Sequence, residues 1–161
     1  MNRLLRRVAD SKRCMAAFKL ISTVASIGSS LIFILQLALL LTDGEYITFI
    51  KVGSVAAVGF VIVTVARRII NAPRPYELRD FYKVSPREKS GESFPSRHAY
   101  SAFVIATLAW LLHPAASISA AVLGIVISLA RYLTGIHFLR DLAAGALIGV
   151  LSGVIGILII L

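Results

Sequence analysis

The sequence predicts an all-α membrane protein, a bundle of about five transmembrane helices with an N-terminal amphipathic helix on the membrane surface. Apolar residues make up 58% of the 161 residues against 16% charged residues, and the mean hydropathy is +0.85, far above that of a soluble domain. The charges are also unevenly placed, since they leave long uncharged runs of about 20 residues or more, the length that a helix needs to cross a hydrocarbon core. We therefore expect one membrane-embedded domain over residues 1–161.

The N-terminal part combines a basic segment with the first two predicted spans. Residues 1–19 mix apolar side chains with six basic ones, a composition typical of a helix that lies on an anionic lipid surface, although a basic tail without fixed structure is the alternative. Spans are predicted over residues 20–41 and 46–70. Lys51 lies close enough to the start of the second span for its ammonium group to reach the interface.

The C-terminal half contains an uncharged run that is too long for one crossing. Residues 99–130 are divided by His113-Pro114, so we interpret them as a hairpin of two short spans, 98–112 and 115–132, with His113 in the turn. The last span covers 140–161. Glycines recur in it at intervals of four, which favours close packing against a neighbouring helix; they are Gly145, Gly149 and Gly153.

Polar residues collect at the edges of these spans. The first cluster, 67–75, lies at the end of the second span. The second cluster, 93–98, ends the polar loop 71–97 and begins the third span. The third cluster, 131–141, joins the last two spans. If the spans alternate across the bilayer, all three clusters converge at one membrane face. Ionisable groups at membrane depth are costly and usually functional.

The clusters combine several arginines with a helix start, two histidines and one Asp. Arginine forks match phosphate oxygens, and a helix N-terminus near Ser96 presents N–H groups to an anion. His137 has an orienting partner in Asp141 and is the candidate nucleophile, while His98 is the candidate general acid. Taken singly, each feature also has an ordinary structural role: arginines anchor span ends, Ser96 caps a helix, and His137 with Asp141 forms an interfacial pair.

In this order and spacing, the residues resemble the type 2 phosphatidic acid phosphatase superfamily of membrane lipid phosphatases. The signature of that family has the blocks K-x6-R-P, P-S-G-H and S-R-x5-H-x3-D. The three blocks correspond here to Arg67-x6-Arg74-Pro75, Pro95-Ser96-Arg97-His98 and Ala130-Arg131-x5-His137-x3-Asp141.

The resemblance implies hydrolysis of a terminal lipid phosphate through a phosphohistidine. It assigns His137 as the nucleophile, Asp141 as its orienter and His98 as the general acid. It implies phosphate binding by Arg67, Arg74, Ser96 and Arg131, with the backbone N–H of Arg97. The chain departs from the family pattern at three positions: Arg67 replaces Lys and is followed by Arg68, Arg97 stands where Gly is common, and Ala130 replaces Ser.

Other functions fit the sequence less well. A haloperoxidase-like vanadate site belongs to larger soluble enzymes, and a non-catalytic scaffold or channel subunit has no need for an acid, a nucleophile and its orienter together. Nucleic-acid binding is not expected, because the basic residues line a membrane face. The sequence predicts no cofactor and no metal site. The partners expected are the lipid bilayer and a lipid phosphate, such as phosphatidic acid, phosphatidylglycerol phosphate, a polyprenyl diphosphate or a phosphorylated glycolipid.

The charges also predict an orientation in the cell membrane. With five spans, 16 of the 17 Lys and Arg lie on the side of the predicted site, and only Lys51 lies on the other. The positive-inside rule therefore places the site at the cytoplasmic face of the plasma membrane.

Overall fold

The computed structural model describes Val8, residues 11–78 and residues 90–160, and within these ranges it contains helices and no strand. An all-helical bundle is therefore confirmed. Its elements are α1 (Lys12–Thr42), α2 (Tyr46–Ile70), the short α3 (Pro75–Leu78), α4 (Arg97–Leu108) with a 3-10 turn (Ala109–Leu111), α5 (Pro114–Leu133) and α6 (Leu139–Ile160).

Four stretches among the described residues are long and apolar enough to cross a membrane: α1, the stretch Tyr46–Leu78 that contains α2, α5 and α6. The predicted short third span, 98–112, corresponds to α4, which has 12 residues, and to its 3-10 turn, which has three more. Together they extend about 24 Å. This is shorter than a hydrocarbon core of about 30 Å. Four of the described helices are thus long enough to cross the membrane, and α4 is a shorter helix between them.

The first helix starts earlier than the predicted span. It begins at Lys12, where the hydroxyl of Ser11 accepts a hydrogen bond from the backbone N–H of Cys14 at 3.3 Å. Residues 12–19 are therefore the first turns of α1 and do not form a separate surface helix, because no helix-breaking residue separates them from the apolar run. Apart from Val8, the predicted amphipathic segment before Ser11 lies outside the described residues.

The short helix α4 lies at the centre of the bundle. It packs against all four long helices and most extensively against α6. Tyr100, Val104 and Leu108 are buried in the main apolar core together with Val52 and Val63 from α2. The four long helices instead expose large apolar side chains outward, as a lipid-facing surface requires; examples are Leu31, Ile62, Ile118 and Leu158.

Contacts along the helices fix their directions. Close approaches between Gly145 and Ser96 and between Gly153 and Thr107 show that α6 runs parallel to α4. Lys51 at the start of α2 donates to the carbonyl of Ile159 at the end of α6, at 3.0 Å, so these two helices are antiparallel. The end of α2, the starts of α4 and α6 and the end of α5 therefore lie at the same end of the bundle.

Candidate active site

The three polar clusters meet at this end of the bundle. Arg67 at the end of α2 donates to the carbonyl oxygen of Pro95 at 3.1 Å. The backbone N–H of Ser96, just before α4, donates to the carbonyl oxygen of Asp141 at 2.9 Å. Arg131 near the end of α5 reaches His98 at 2.9 Å. The structure thus brings together residues that are up to 74 positions apart in the sequence.

The described ends of the polar loop are held against each other by backbone hydrogen bonds. Helix α2 ends at Asn71, which has a left-handed conformation (φ 44°). The side-chain oxygen of Asn71 accepts from the N–H of Glu92 at 3.3 Å, and Ser93 N–H donates to the carbonyl of Ala72 at 2.9 Å. Gly91 has φ 68°, and a Cβ there would collide with the Asn71 side chain. The segment before α4 therefore runs directly alongside the segment after α2.

Glu77 adds a second connection within this loop. Its carboxylate accepts from the backbone N–H groups of Arg74 (3.2 Å) and Gly91 (2.8 Å) and from the hydroxyl of Ser90 (3.0 Å). Burial raises the pKa of Glu77, but these hydrogen bonds outweigh it and hold the pKa below its usual value. The carboxylate therefore stays charged and fixes the loop beside the site.

The arginines predicted to bind phosphate are anchored by backbone carbonyls. Arg67, only 3% exposed, donates to the carbonyls of Pro95 and Glu92. Its neighbour Arg68 is exposed, so Arg67 is the one of the two that lies among the polar clusters. Arg74 is buried and donates through Nε to the carbonyl of Gly91 at 2.9 Å. Each guanidinium has five N–H donors, so anchoring by one edge is compatible with binding an anion by the other.

The start of α4 provides two further predicted residues. Ser96 is fully buried and caps the helix, because its hydroxyl oxygen accepts from the backbone N–H of Ala99 at 3.4 Å. Its hydroxyl hydrogen is still able to donate. Arg97 is the first residue of α4, where backbone N–H groups have no acceptor within the helix. Its side chain turns away and lies over the ring of Phe60, with the guanidinium carbon 5.7 Å from the ring centre.

His137 and Asp141 lie where a short turn enters α6. They are almost fully buried, and the Nδ1 of His137 is 3.7 Å from the Oδ2 of Asp141, an ion-pair distance too long for a direct hydrogen bond. The hydroxyl of Ser93 lies between them, 3.3 Å from Nδ1 and 2.5 Å from Oδ2. Oδ2 also accepts from the backbone N–H of Phe138 at 3.0 Å. Ser93 and Asp141 thus fix one edge of the imidazole.

Ser93 is the site residue that the sequence prediction missed. It lies inside the 93–98 cluster, but it precedes the residues that match the family signature. The only sequence signal was its position two residues before Pro95, and that position does not indicate which side chain it touches.

Burial and nearby charges keep His137 neutral. Burial is the largest effect and lowers the pKa of the imidazole from its ordinary value of 6.5; the carboxylate of Asp141 opposes this change, and the positive charges of Arg67, Arg74 and Arg131 lower the pKa further. A neutral imidazole has an electron pair available on one nitrogen. With Nδ1 facing Ser93, that nitrogen is Nε2.

Arg131 connects the two histidines. Its guanidinium contacts Nε2 of His98, while its carbonyl oxygen accepts from the backbone N–H groups of Ile136 (3.1 Å) and His137 (3.4 Å). His98 also lines a cavity of about 380 Å³ between α1, α2, α4 and α5. The site is therefore continuous with a space inside the bundle.

No group of three or more His, Cys, Asp or Glu able to hold a metal ion occurs in the described part of the chain. The third histidine, His113, lies in the turn before α5, where its ring accepts from the backbone N–H of Ala115 at 3.1 Å. It is at the other end of α4 from the site.

Comparison with known proteins places this geometry in a family. One relative, the bacitracin transport permease protein BcrC of Bacillus licheniformis, is 42% identical over 60 residues, which is 37% of this chain and 30% of that protein. The Aquifex aeolicus LpxE structure superposes with a TM-score of 0.71 at 24% identity, covering 96% of this chain and 92% of the other.

A Bacillus subtilis structure described as a transmembrane PAP2 type phosphatidylglycerolphosphate phosphatase has a TM-score of 0.61 at 19% identity, covering 96% of this chain and 90% of the other. These two likenesses show a shared fold. The model of the PAP2 superfamily matches residues 48–160, a range that includes all three polar clusters. The chain is therefore an integral membrane protein that belongs to the PAP2 superfamily.

Proposed function

We propose that the protein hydrolyses the terminal phosphate of a membrane lipid through a phosphohistidine formed on His137. The observation that carries this proposal is the buried His137–Ser93–Asp141 arrangement, which lies beside anchored arginines and the first turn of α4. A neutral imidazole held by one edge is a nucleophile, and the surrounding cations and N–H groups are ligands for a phosphate.

In the first step, Nε2 of His137 attacks phosphorus. A P–N bond forms, the bond from phosphorus to the leaving oxygen breaks, and that oxygen departs with the electron pair. His98 donates the proton that neutralises it, and its Nε2 carries this proton once the guanidinium of Arg131 has moved from His98 to the phosphate. Asp141 and Ser93 stabilise the positive charge that develops on the imidazole of His137, as an orienting carboxylate does in other nucleophilic sites.

In the second step, water attacks the phosphohistidine. His98, which lost its proton in the first step, accepts a proton from the water as the new P–O bond forms and the P–N bond breaks. Inorganic phosphate leaves, and both histidines return to their starting states. A single group thus acts first as acid and then as base, as in other two-step hydrolases.

The charge of the transferring phosphoryl group is stabilised by Arg67, Arg74 and Arg131, by the hydroxyl of Ser96 and by the backbone N–H of Arg97. Fixed donors of this kind need no reorganisation during the reaction, and they are a major source of catalysis when they lie in a site shielded from water. We therefore propose that turnover is independent of added metal ions.

The substrate enters from the lipid phase, and candidates are phosphatidic acid, phosphatidylglycerol phosphate, polyprenyl diphosphates and phosphorylated glycolipids. We place the site at the cytoplasmic face of the cell membrane, because all Lys and Arg in the described part of the chain except Lys51 lie at the end of the bundle that holds it. The exposed Cys14, the only cysteine, tests this orientation. An impermeant thiol reagent should label it in inverted vesicles and not in intact cells; labelling in intact cells would reverse the assignment.

The function is tested by phosphate release from purified protein across this panel of lipids, with and without EDTA. We expect phosphate release from at least one lipid and no effect of EDTA on the rate. Vanadate should inhibit, because it adopts the five-coordinate geometry of the transition state. An acid-labile phosphoprotein should be found when the reaction is quenched. A protein that releases no phosphate from any of these lipids would instead fit a scaffold. Strict dependence on magnesium would contradict the mechanism.

A further inference from the structure

The cavity of about 380 Å³ beside His98 has a polar end that the proposed mechanism leaves unexplained. Its apolar part is formed by Phe60, Ala102, Ile105 and Ile127. At the end near the site, α1 and α4 contribute polar side chains. These residues are Ser26, Ser29, Ser30, Arg97, His98 and Ser101.

Ser29 contributes an unpaired hydroxyl to this polar end. Its neighbours Ser26 and Ser30 donate to carbonyls one turn earlier in α1, at 2.7 and 3.0 Å. Ser29 is only 3% exposed, and its hydroxyl has no hydrogen-bond partner among the described residues. A buried hydroxyl without a partner is costly, so a ligand in the cavity would satisfy it.

Arg97 provides the charge. Within the part of the chain that the structure describes, its guanidinium contacts the face of Phe60 and has no hydrogen-bond or ion-pair partner. A cation is unfavourable in the first turn of a helix, where the helix dipole is positive. No acidic residue lines the cavity. This combination of an uncompensated guanidinium, hydroxyl donors and no carboxylate favours an anion.

The position of His98 indicates which anion. In the proposed reaction His98 contacts the leaving oxygen, and the same residue lines the cavity. Whatever is bonded to that oxygen therefore lies in the cavity. In a lipid monophosphate this is the carbon of the lipid, whereas in a lipid diphosphate it is a second phosphate followed by the apolar chain.

We propose that Arg97 and Ser29 form a subsite for the second phosphate of a lipid diphosphate, which makes diphosphates the preferred substrates. The inference rests on the proposed phosphatase function. Attack of His137 on the terminal phosphorus breaks the P–O–P bond, and the bridging oxygen leaves with the electron pair as part of the lipid monophosphate. The cavity extends about 10 Å along α4 from His98 to Ile105, and its apolar part holds the start of the lipid chain.

The test compares two substrates that share one chain, farnesyl diphosphate and farnesyl monophosphate, by initial rates of phosphate release from purified protein in micelles. Wild-type protein should have the higher kcat/KM for the diphosphate. Ser29→Ala should lower kcat/KM for the diphosphate about 10-fold, mainly through KM, and change kcat/KM for the monophosphate less than about 2-fold. Arg97→Gln should lower the diphosphate-to-monophosphate ratio of kcat/KM about 30- to 100-fold.

Ser22→Ala is the matched control. Ser22 lies two turns before Ser29 on α1, is 4% exposed and has a hydroxyl that is likewise without a partner among the described residues, but it does not line the cavity. Its substitution should change neither rate more than about 2-fold.

The outcomes separate the two proposals. Release of phosphate from neither lipid by wild-type protein, and from no other lipid phosphate, would overturn the proposed function. A wild-type preference for the monophosphate would overturn the subsite alone. So would a diphosphate-to-monophosphate ratio of kcat/KM that is unchanged in both Ser29→Ala and Arg97→Gln.

Discussion

Two helices pack against the central α4 in opposite ways. On one side α6 presents a row of glycines, and a Cβ at Gly149 would lie 2.6 Å from the carbonyl oxygen of Tyr100. On the other side α1 presents serines and borders the cavity beside His98. The α6 contact brings backbones together and leaves no room for a side chain, whereas the α1 contact leaves a space of about 380 Å³.

The α4–α6 contact holds the proposed catalytic groups, whereas the contact between α1 and α4 borders the space proposed for the substrate. The proposed nucleophile and its orienter lie at the start of α6, and the proposed general acid lies at the start of α4. The hydrogen bond from the Ser96 N–H to the carbonyl of Asp141 ties these two starts together. A backbone contact without voids keeps reacting groups within the narrow tolerances that catalysis requires. Changes in the α4–α6 pair should therefore reduce the rate, while changes in α1 should alter which lipid is bound.

The largest loss is expected from His137→Ala, which removes the nucleophile from the α6 side. The rate should fall at least ~10⁴-fold, and no phosphoprotein should be trapped, because no other group is placed to attack. His113→Ala is the control, since it removes a histidine at the other end of α4. A trapped phosphohistidine in the His137→Ala protein would contradict the assignment.

His98→Ala should lower the rate by a smaller factor, about 10² to 10⁴, which is the usual contribution of a general acid. The residue acts on the leaving group, so the loss should shrink for an aryl phosphate, whose leaving oxygen departs without a proton. Parallel rate measurements with a lipid phosphate and p-nitrophenyl phosphate test this. An equal loss for both substrates would mean that His98 does not protonate the leaving group.

Ser93→Ala should lower kcat about 10- to 100-fold, because the hydroxyl links Nδ1 of His137 to the charged carboxylate of Asp141. Ser93 acts as a positioning residue, so KM should change less than about 2-fold. Ser90→Ala is a matched control in the same loop, since the hydroxyl of Ser90 donates to the Glu77 carboxylate and, among the described residues, not to His137 or Asp141. If KM rises while kcat is unchanged, the hydroxyl binds substrate instead.

Gly149→Ala tests the close contact itself. The added methyl group collides with the backbone of α4 and should destabilise the protein by ~1–3 kcal/mol, with a several-fold lower rate as α4 and α6 move apart. Gly53→Ala is the control, because a Cβ at Gly53 meets nothing within 4 Å. The Gly149→Ala protein should therefore unfold at a lower temperature and release phosphate more slowly than the Gly53→Ala protein. Equal unfolding temperatures and rates would show that the α4–α6 contact tolerates an added methyl group.

The sequence predicted the α4–α6 side of this comparison well. The recurring glycines predicted a close helix contact, and the structure places them against α4. The meeting of the polar clusters followed from the alternation of spans, because charges cluster where a helix leaves the membrane. Ser93 was missed because its role depends on the route of the polar loop, which is fixed by contacts at Asn71, Glu77 and Gly91 that lie far apart in sequence.

The α1 side was less predictable. Residues 20–41 were interpreted as an apolar span, and averaging hydropathy over such a stretch hides Ser26, Ser29 and Ser30. Whether a serine hydroxyl bonds to its own helix or faces a cavity is decided by tertiary packing.

The smallest expected effect concerns the protonation of His137, and it distinguishes a buried nucleophile from an exposed histidine. The chain has three histidines, so His98→Ala/His113→Ala leaves His137 as the only imidazole for an NMR titration. Its pKa should lie below 6.5, because burial and the charges of Arg67, Arg74 and Arg131 outweigh Asp141. Asp141→Asn in this background should lower it further, since the carboxylate favours the protonated ring. The neutral nucleophile should thus persist into mildly acidic solution. A titration at or above 6.5 would mean that the imidazole is solvated and that the close α4–α6 packing does not enclose it.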